Sequence, residues 1–300
     1  MSSLNFAALQ YPESENLGDD IQTLAGERHL PRVDLYLNRD RLDEVSGPGP
    51  IATMMNGWYL QSPEHWPPSP VIRPILTGIH ITSTNTSAKL MLMGSGRDWL
   101  MRQQPIGCRD ESTRTLLANA GITAEYVGCP TITFPDRGNA QDAKQVFLVQ
   151  TEGIVVPRAL SRGAVRVQQR VPRWASAETR RVFAGELLDY YRRNACLVVT
   201  TKLHCALPCA AMGIPVVMFA DPADARMTPV VESIGINAFE ADRLATSVAG
   251  RVRRRRENRR IATDVDWSPE PRDLTAIKQR VTQDIEARIA QVLAAAGAIT

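Results

Sequence analysis

The feature that most constrains the fold of this chain is the alternation of short apolar segments with longer amphipathic ones. Segments such as Ile75–Ile81 and Cys196–Thr200 are apolar or β-branched throughout, as buried strands are. Segments with helical spacing lie between them, and Ser176–Arg193 is one of the longest. Because strands alternate with helices, we expect an α/β protein with mainly parallel sheets covered by helices on both faces.

The alternation occurs in two series, and the chain is long enough for two domains. Its 300 residues are twice the ~150 of a typical domain. The polar segment Asp136–Lys144, rich in Gly, Asn and Asp, separates the two series and is a candidate linker. We therefore predict two Rossmann-like domains that face each other across a cleft, residues 1–138 and 139–300, the second ending in a helix over residues 273–295.

Composition excludes several classes of protein. Apolar residues make up 44% and charged residues 22% of the chain, which is typical of a globular protein and not of a disordered or fibrous one. No apolar run reaches the ~18–20 residues of a membrane-spanning helix, and Met1–Asp20 lacks the regions of a secretory signal. A cytoplasmic protein is therefore expected. The five cysteines form no C-x-x-C pair, which favours buried reduced thiols and predicts no metal site.

The charged residues are unevenly distributed. The 35 basic and 32 acidic residues give a net charge of +3, too small to indicate a nucleic-acid partner. Seven of the ten residues in Arg251–Arg260 are nevertheless arginine. This run is a solvated helix face, a contact with an anionic membrane surface, where each basic residue contributes ~1 kcal/mol, or, least favoured because no recognised module or aromatic interleaving accompanies it, a nucleic-acid contact. The second interpretation makes the protein peripheral to the inner membrane.

The first polar cluster at the end of a predicted strand is Asn16–Asp20. Ligands bind at the carboxyl ends of parallel strands, so such clusters are candidate sites. Gly18 allows close backbone approach, and the helix that follows offers its first N–H groups to an anion. The alternative is that Asn16 or Asp19 only caps that helix.

Two further clusters follow strands of the first series. In one of them, Arg109 precedes Asp110, and a fixed arginine suits bidentate recognition of a carboxylate or phosphate. The alternative is a surface ion pair between the two residues. The segment Gly128-Cys129-Pro130 is a candidate part of the cleft, with simple chain reversal as its alternative.

The most specific cluster lies in the second series, where Thr201–His204 joins a buried strand to a helix. Pro208 is tolerated in that helix only if the helix begins near His204, so that the missing N–H falls in the first turn. Lys202 and His204 then lie beside a helix N-terminus, which binds anions readily. His204 suits general acid–base chemistry, and the alternative is a core histidine that caps the helix.

Taken in order, these motifs resemble those of the polysaccharide pyruvyl transferase family over roughly Asn16 to Gly235. The similar segments are Asn16-x-Gly18-Asp19-Asp20-Ile21, Gly107-Cys108-Arg109-Asp110-x-x-Thr113, Gly128-Cys129-Pro130-Thr131, Thr201-Lys202-Leu203-His204-Cys205-Ala206 and Ala211-Met212-Gly213-Ile214-Pro215. The resemblance implies two Rossmann-like domains arranged as in GT-B glycosyltransferases. It also implies transfer of the enolpyruvyl carbons of phosphoenolpyruvate onto sugar hydroxyls as a ketal, with release of phosphate. It demands no metal, and phosphoenolpyruvate is a co-substrate, not a cofactor.

The resemblance also assigns roles to individual residues. Arg109, Lys202, Leu203 and His204 fall on donor-binding and catalytic positions of the family. His204 is the best candidate for the proton transfers, because ketal formation protonates a methylene carbon and deprotonates a sugar hydroxyl. Lys202 stands where arginine is common in the family. A lysine ammonium is a point charge, whereas an arginine guanidinium can donate two parallel hydrogen bonds to one anion.

Further residues complete the predicted site. Asp20 and Asp110 are candidates for a second acid or base and, with Asp19, for orienting the sugar. Arg226 is either a phosphate contact or a surface residue, and Trp58, where the family usually has a glycine-rich turn, is either an acceptor-sugar platform or a core residue. The residues predicted on the acceptor side or in the cleft are Asn16, Gly18, Asp19, Trp58, Gly128, Cys129 and Pro130.

The leading hypothesis is therefore a pyruvyl transferase that acts on a cell-surface polysaccharide or its precursor. Its partners are phosphoenolpyruvate and a glycan or lipid-linked saccharide, with the first domain on the acceptor side and the second on the donor side. One alternative is a GT-B glycosyltransferase with a nucleotide-sugar donor, whose diphosphate Lys202 and His204 also suit. The other is a non-catalytic module that binds anions or membrane surfaces through Arg251–Arg260.

Overall fold

In a computed structural model of the chain, each series of strands forms its own sheet. The structure describes residues 4–59, 62–82, 86–140, 142–220, 232–238 and 264–297. The described residues form two units. The first comprises those within 1–133, 171–184 and 275–300, and the second those within 134–170 and 185–274.

The sheet of the first unit has its described strands in the order β2-β1-β3-β4-β5-β6. These strands are β1 (Asn5–Gln10), β2 (Leu35–Asn38), β3 (Ile51–Tyr59), β4 (Ile72–Ile81), β5 (Ile106–Cys108) and β6 (Ala124–Tyr126). Every neighbouring pair is parallel, as predicted. The carboxyl ends of the strands therefore lie along one edge of the sheet, the edge at which α/β proteins bind ligands.

The helices of the described residues are α1 (Leu17–Glu27), α2 (Thr86–Met91), α3 (Gly94–Arg102), α4 (Glu111–Asn119), α5 (Arg158–Ser161), α6 (Ala177–Asn194), α7 (Leu203–Ala211) and α8 (Thr275–Gly297). Short 3-10 turns lie at Arg39–Glu44, Pro63–His65 and Pro130–Thr133. Side-chain caps determine where two of the helices begin. The amide oxygen of Asn16 accepts the N–H of Gly18 at 3.2 Å before α1, and Asp110 accepts the N–H of Thr113 at 2.8 Å before α4.

The second unit contains a five-stranded sheet in the order β11-β10-β9-β7-β8, again with parallel neighbours. Its strands are β7 (Gln145–Val149), β8 (Val165–Val167), β9 (Ala195–Thr200), β10 (Val216–Ala220) and β11 (Ile236–Ala238). Leu148, Val199 and Phe219 are buried in its core, and Trp267 packs against the Phe219 ring. Both units thus have parallel α/β sheets, which is the fold class that the sequence predicts.

The C-terminal helix, predicted over residues 273–295 in the second domain, groups instead with the first unit. One face of α8 buries Val281, Ile285 and Ile289. The Thr77 hydroxyl of β4 donates to Asp284 at 3.1 Å, and the Arg288 guanidinium donates to the carbonyl of Pro105 at 2.8 Å. These contacts, which sequence order does not reveal, place the helix on the first sheet.

Helix α7 begins at Leu203, close to the predicted start, but Pro208 lies beyond its first turn. A proline ring displaces the carbonyl four residues earlier, here that of His204. The helix accordingly departs from helical geometry at His204, where φ is −83° and ψ is 18°. The predicted position of Pro208 in the first turn is therefore wrong, and a local kink accommodates the ring.

Among the described residues, no helix has both the length and the apolar composition to cross a bilayer.

The assignment of α8 to the first unit can be tested with Ile285→Ala. Because the Ile285 side chain is fully buried, we expect a loss of about 2–5 kcal/mol in the free energy of unfolding. Hydrogen exchange should accelerate in β4, against which α8 packs, more than in β9 of the second unit. The exposed Leu293 on the same helix provides the control, since Leu293→Ala should change stability by less than about 0.5 kcal/mol. Faster exchange in β9 with β4 unchanged would contradict the assignment.

Candidate functional site

The polar residues of the first unit converge at the carboxyl edge of its sheet. Asp19 follows β1, Trp58 lies near the end of β3, His80 lies near the end of β4, and Arg109 and Asp110 follow β5. The side chains of Asp19, His80, Arg109 and Asp110 are buried, and that of Trp58 is half-buried.

The loop before α1 is held by its own side chains. The Ser14 hydroxyl donates to one carboxylate oxygen of Asp19 at 2.7 Å, and the Asn16 amide donates to the other at 3.3 Å. Because the amide oxygen of Asn16 also accepts the N–H of Gly18, Asn16 caps the helix. The capping alternative therefore describes Asn16, and Asp19, in the first turn of α1, accepts hydrogen bonds from the loop before the helix.

Asp20, a predicted acid or base, is engaged in a buried ion pair with Arg180 of α6. The two side chains are 2.8 Å apart, and both lie almost entirely out of solvent. Arg180 also donates to the carbonyl of Ser14. Burial raises the pKa of Asp20 to about 6, although the charge and hydrogen bond of Arg180 oppose the rise. The geometry thus gives Asp20 a structural role, in which it joins α6 to the start of α1.

A short, buried polar contact of the site joins Asp110 to His80. Their closest atoms, Oδ2 and Nδ1, are 2.5 Å apart. The other carboxylate oxygen, Oδ1, accepts from the backbone N–H and the hydroxyl of Thr113, each at 2.8 Å, and from the Ser112 hydroxyl at 2.7 Å. Asp110 thus connects the residue on β4 to the first turn of α4.

The environment of Asp110 keeps this carboxyl ionised. Burial alone would raise its pKa, but the hydrogen bond and charge of His80 and the charge of Arg109 lower the pKa to about 2. A carboxylate with this pKa does not exchange protons at neutral pH. Its geometry instead suits orientation of the His80 ring, as the carboxylate of a hydroxyl–imidazole–carboxylate triad does.

The second ring nitrogen of His80 belongs to a chain of side-chain contacts. Its Nε2 lies 3.2 Å from the Thr82 hydroxyl oxygen, and the Trp58 indole N–H donates to the same oxygen at 2.8 Å. The Arg39 guanidinium lies over the Trp58 ring, 5.1 Å from its centroid. Trp58 is therefore half-buried and part of the framework around His80.

Arg109 is fixed next to this pair. Its side chain is only 5% exposed, which excludes the surface ion pair with Asp110 as its sole role. One guanidinium nitrogen donates to the side-chain oxygen of Gln22 at 2.5 Å, and Nε lies 3.8 Å from the Asp110 carboxylate. A planar cation held in this way is suited to recognise a carboxylate or phosphate.

The segment Gly128-Cys129-Pro130 is buried and reverses the chain after β6. Gly128 has a left-handed φ of 95°, and its carbonyl oxygen would lie 3.0 Å from any Cβ placed on Gly78 of β4. Cys129 Sγ lies 3.1 Å from the Thr131 hydroxyl. This close packing matches the alternative of chain reversal, which the sequence left open for this segment.

In the second unit, Lys202, Leu203 and His204 occupy the predicted position at the N-terminus of α7. The backbone N–H of Lys202 donates to the Thr200 hydroxyl at 2.9 Å, and the Leu203 and His204 side chains are buried. Gln150, which directly follows the neighbouring strand β7, has a left-handed φ of 47°. A non-glycine residue in that conformation is uncommon and is found most often at turns and functional sites.

Two predicted features lie outside the described residues. They are the candidate phosphate contact Arg226 and the arginine run Arg251–Arg260.

The described residues include one group with the spacing of metal ligands, formed by Asp43, Glu44 and His65. The His65 ring is 3.0 Å from Asp43, and the two acidic residues are exposed. This arrangement is a surface contact between an imidazole ring and two carboxylates. The cysteines are free thiols, of which only Cys196 is not fully buried.

The fold and site define an α/β protein with parallel sheets, in which Arg109 and His80 are buried at the carboxyl edge of the first sheet and Lys202 and His204 lie at the start of α7. Within this chain, residues 95–221 match the family model of polysaccharide pyruvyl transferase. The match confirms the resemblance indicated by the motifs, and it includes Arg109, Asp110 and the Lys202–His204 segment. His80 lies outside the matched residues.

Other comparisons add little to the family match. None of the curated proteins matches this chain. Among solved structures, a functionally uncharacterised protein from Klebsiella pneumoniae subsp. pneumoniae is similar at a TM-score of 0.45 and 11% sequence identity, covering 80% of this chain and 94% of that chain. Similarity at that level is not evidence of function.

The role of Asp110 predicts a pH effect that Asp110→Asn removes. A carboxyl whose pKa falls from 3.8 to about 2 on folding contributes stability above pH 3.8 that is lost as the pH falls through 2. Between pH 5 and pH 3, the wild type should lose about 1 kcal/mol more unfolding free energy than the variant. Asparagine retains an oxygen that can cap α4, so urea unfolding at several pH values isolates the titration. Parallel pH profiles would contradict the assignment.

The buried pair between Arg180 and Asp20 predicts an opposite pH dependence. With its pKa raised to about 6, Asp20 contributes stability that is present below pH 3.8 and lost as the pH rises through 6. Arg180→Met removes the counter-charge and should cost roughly 3–5 kcal/mol at pH 8, and less at pH 5, where Asp20 takes up a proton.

Urea unfolding at the two pH values measures this difference. Arg192→Met provides a matched control on the same helix, because Arg192 pairs with Asp189 at the surface and should contribute less than about 1 kcal/mol. The double variant Asp20→Asn/Arg180→Met should recover part of the loss. An equal loss at pH 5 and pH 8 would exclude Asp20 as the responsible group.

Proposed function

We propose that this chain is a pyruvyl transferase that moves the enolpyruvyl group of phosphoenolpyruvate onto hydroxyls of a cell-surface polysaccharide or its precursor. The family match over residues 95–221 supports a transferase of this class with a polysaccharide acceptor. The observation that carries the proposal is the buried Arg109, held beside the Asp110–His80 pair at the carboxyl edge of a parallel sheet. A donor with both a carboxylate and a phosphate needs fixed cations of this kind.

The reaction defines which protons must move. A proton adds to the methylene carbon of phosphoenolpyruvate, and a sugar hydroxyl attacks the neighbouring carbon and loses its own proton. The bond from that carbon to the phosphate oxygen then breaks, and the departing phosphate takes up a proton. A second hydroxyl of the same sugar closes the ketal and is deprotonated. The site therefore needs at least one group that both accepts and donates protons near neutral pH.

We assign to His80 the removal of the proton from the attacking sugar hydroxyl. Its Nδ1 faces the ionised Asp110 carboxylate, so the ring presents Nε2 as its basic nitrogen. The Thr82 hydroxyl at 3.2 Å from Nε2 is suited to pass a proton onwards. His204 falls on a catalytic position of the family. We assign to it the donation of a proton to the methylene carbon.

The donor contacts in the second unit are assigned to Lys202 and Leu203 at the start of α7. The first N–H groups of a helix favour an anionic group, and the lysine adds a point charge. The same proposal includes a GT-B-like arrangement of the two domains and a cytoplasmic location. It also includes phosphoenolpyruvate as the co-substrate and a reaction without a metal. A lipid-linked acceptor, approached through Arg251–Arg260 at the inner membrane, completes it.

Donor binding tests the proposal directly. A ligand at 100 times its dissociation constant stabilises a protein by ~2.7 kcal/mol, which raises the melting temperature by roughly 5–11 °C in domains of this size. We expect phosphoenolpyruvate to produce this shift in the wild type and in Arg114→Ala, whose exposed arginine lies on α4. Arg109→Ala should abolish the shift. A shift with a panel of sugar nucleotides and none with phosphoenolpyruvate would reject the proposal in favour of a glycosyltransferase.

Phosphate release separates binding from proton transfer. With depyruvylated exopolysaccharide fragments as the acceptor, His80→Gln should lower the rate about 10²–10⁴-fold while the shift with phosphoenolpyruvate persists. Arg109→Ala should lose both signals. Unchanged phosphate release by His80→Gln would remove His80 from the assignment and leave His204 as the candidate for both proton transfers.

A further inference from the structure

Trp174 is the most exposed of the large apolar side chains among the described residues, with 85% of its surface accessible to solvent. It stands on a turn just before α6. The residues on either side of the turn are anchored: the backbone N–H of Val171 donates to the carbonyl of Glu15 at 3.0 Å, and the N–H of Ala175 donates to the carbonyl of Pro172 at 3.0 Å. Val171 and Ala175 are both buried, so the indole is presented on a fixed turn.

This turn borders the candidate site of the first unit. Glu15 lies in the loop that follows β1, immediately before Asn16, the cap of α1. Its carboxylate accepts from the Arg173 side chain at 2.9 Å, which attaches the turn to that loop a second time. Arg180, one turn into α6, adds the buried ion pair with Asp20. Trp174 is therefore held at the rim of the carboxyl edge.

An exposed indole contributes little to folding, since burial of apolar surface is what stabilises the folded state. It does present a large flat apolar face with a polar N–H at its edge. The Glu15 carboxylate and the Arg173 guanidinium beside it are 45% and 75% exposed and add hydrogen-bonding groups. A pyranose ring has the matching chemistry, with C–H bonds on its face and hydroxyls around its edge.

We propose that Trp174, Arg173 and Glu15 form a glycan-binding subsite that receives acceptor sugars beyond the one that reacts. The proposal rests on the proposed function, which supplies a polysaccharide as the acceptor. It adds the place where the chain of sugars is held and the chemical class recognised there, a pyranose oligosaccharide stacked on the indole.

Two other occupants fit the turn less well. A stable interface with a second copy of the chain buries about 1,200–2,000 Å² in total, whereas the side chains around Trp174 on the turn are small or charged: Pro172, Arg173 and Ser176. An anionic membrane surface attracts basic residues, but the charge of Arg173 is already offset by Glu15. A neutral or weakly charged glycan needs neither a large apolar interface nor an excess of positive charge.

Binding of the full chain to a printed array of microbial polysaccharide fragments tests the subsite without requiring turnover. We expect the wild type to bind pyranose glycans and Trp174→Ala to bind the same glycans on the order of tenfold more weakly. Trp174→Phe, which keeps a flat ring, should retain most of the binding. Val182→Ala removes an exposed apolar side chain from α6 and should bind as the wild type does.

The thermal shift with phosphoenolpyruvate, measured on the same variants, separates this proposal from the proposed function. A shift that persists in Trp174→Ala together with weakened glycan binding supports the subsite. Absence of the shift in the wild type rejects the proposed function, while loss of glycan binding in Trp174→Ala would still locate the subsite. The proposal is overturned if Trp174→Ala binds glycans as well as the wild type does, or if the wild type binds no glycan. It is also overturned if the substitution changes only the oligomeric state or only the binding to anionic vesicles.

Discussion

The carboxylate of Asp110 is the group on which both the fold and the candidate site of the first unit depend. One oxygen starts α4 by accepting from Thr113, and the other holds the His80 ring of β4. A fully buried carboxylate is tolerated only with partners, and here His80 and Arg109 compensate for its desolvation. Helix position, ring orientation and charge balance are therefore properties of one side chain, and none of them can change alone.

The sequence predicted the parallel α/β class and the position of Lys202–His204 at a helix N-terminus, because apolar patterning and local signals determine both. It did not point to His80 or Arg180. His80 lies inside an apolar segment that indicates only a buried strand, and Arg180 is one of several arginines on an amphipathic helix. Their partners Asp110 and Asp20 are 30 and 160 residues away, so only the folded chain shows the pairs. A polar residue within an apolar strand was the available signal for His80.

Other differences have the same origin in contacts that sequence order does not reveal. The short helices α2 and α5 contain too few residues for a helical period to be visible. Helix α8 was predicted correctly as a helix, yet it groups with the first unit because its apolar face and Arg288 meet residues of that unit. The roles of the site residues follow from chemistry that binding and turnover must test, since patterning predicts where a residue lies and not what it binds.

The tight packing of the Gly128 turn against β4 determines where this protein can vary. Gly78 has a φ of 59°, and a Cβ at this position would lie 3.0 Å from the Gly128 carbonyl and closer still to the Pro130 ring. Every other amino acid there meets both backbone strain and a steric clash. Position 78 of β4, two residues before His80, therefore does not tolerate substitution. A directed-evolution library for new acceptors will therefore yield folded variants from the exposed turn around Trp174 and few from this stretch of the strand.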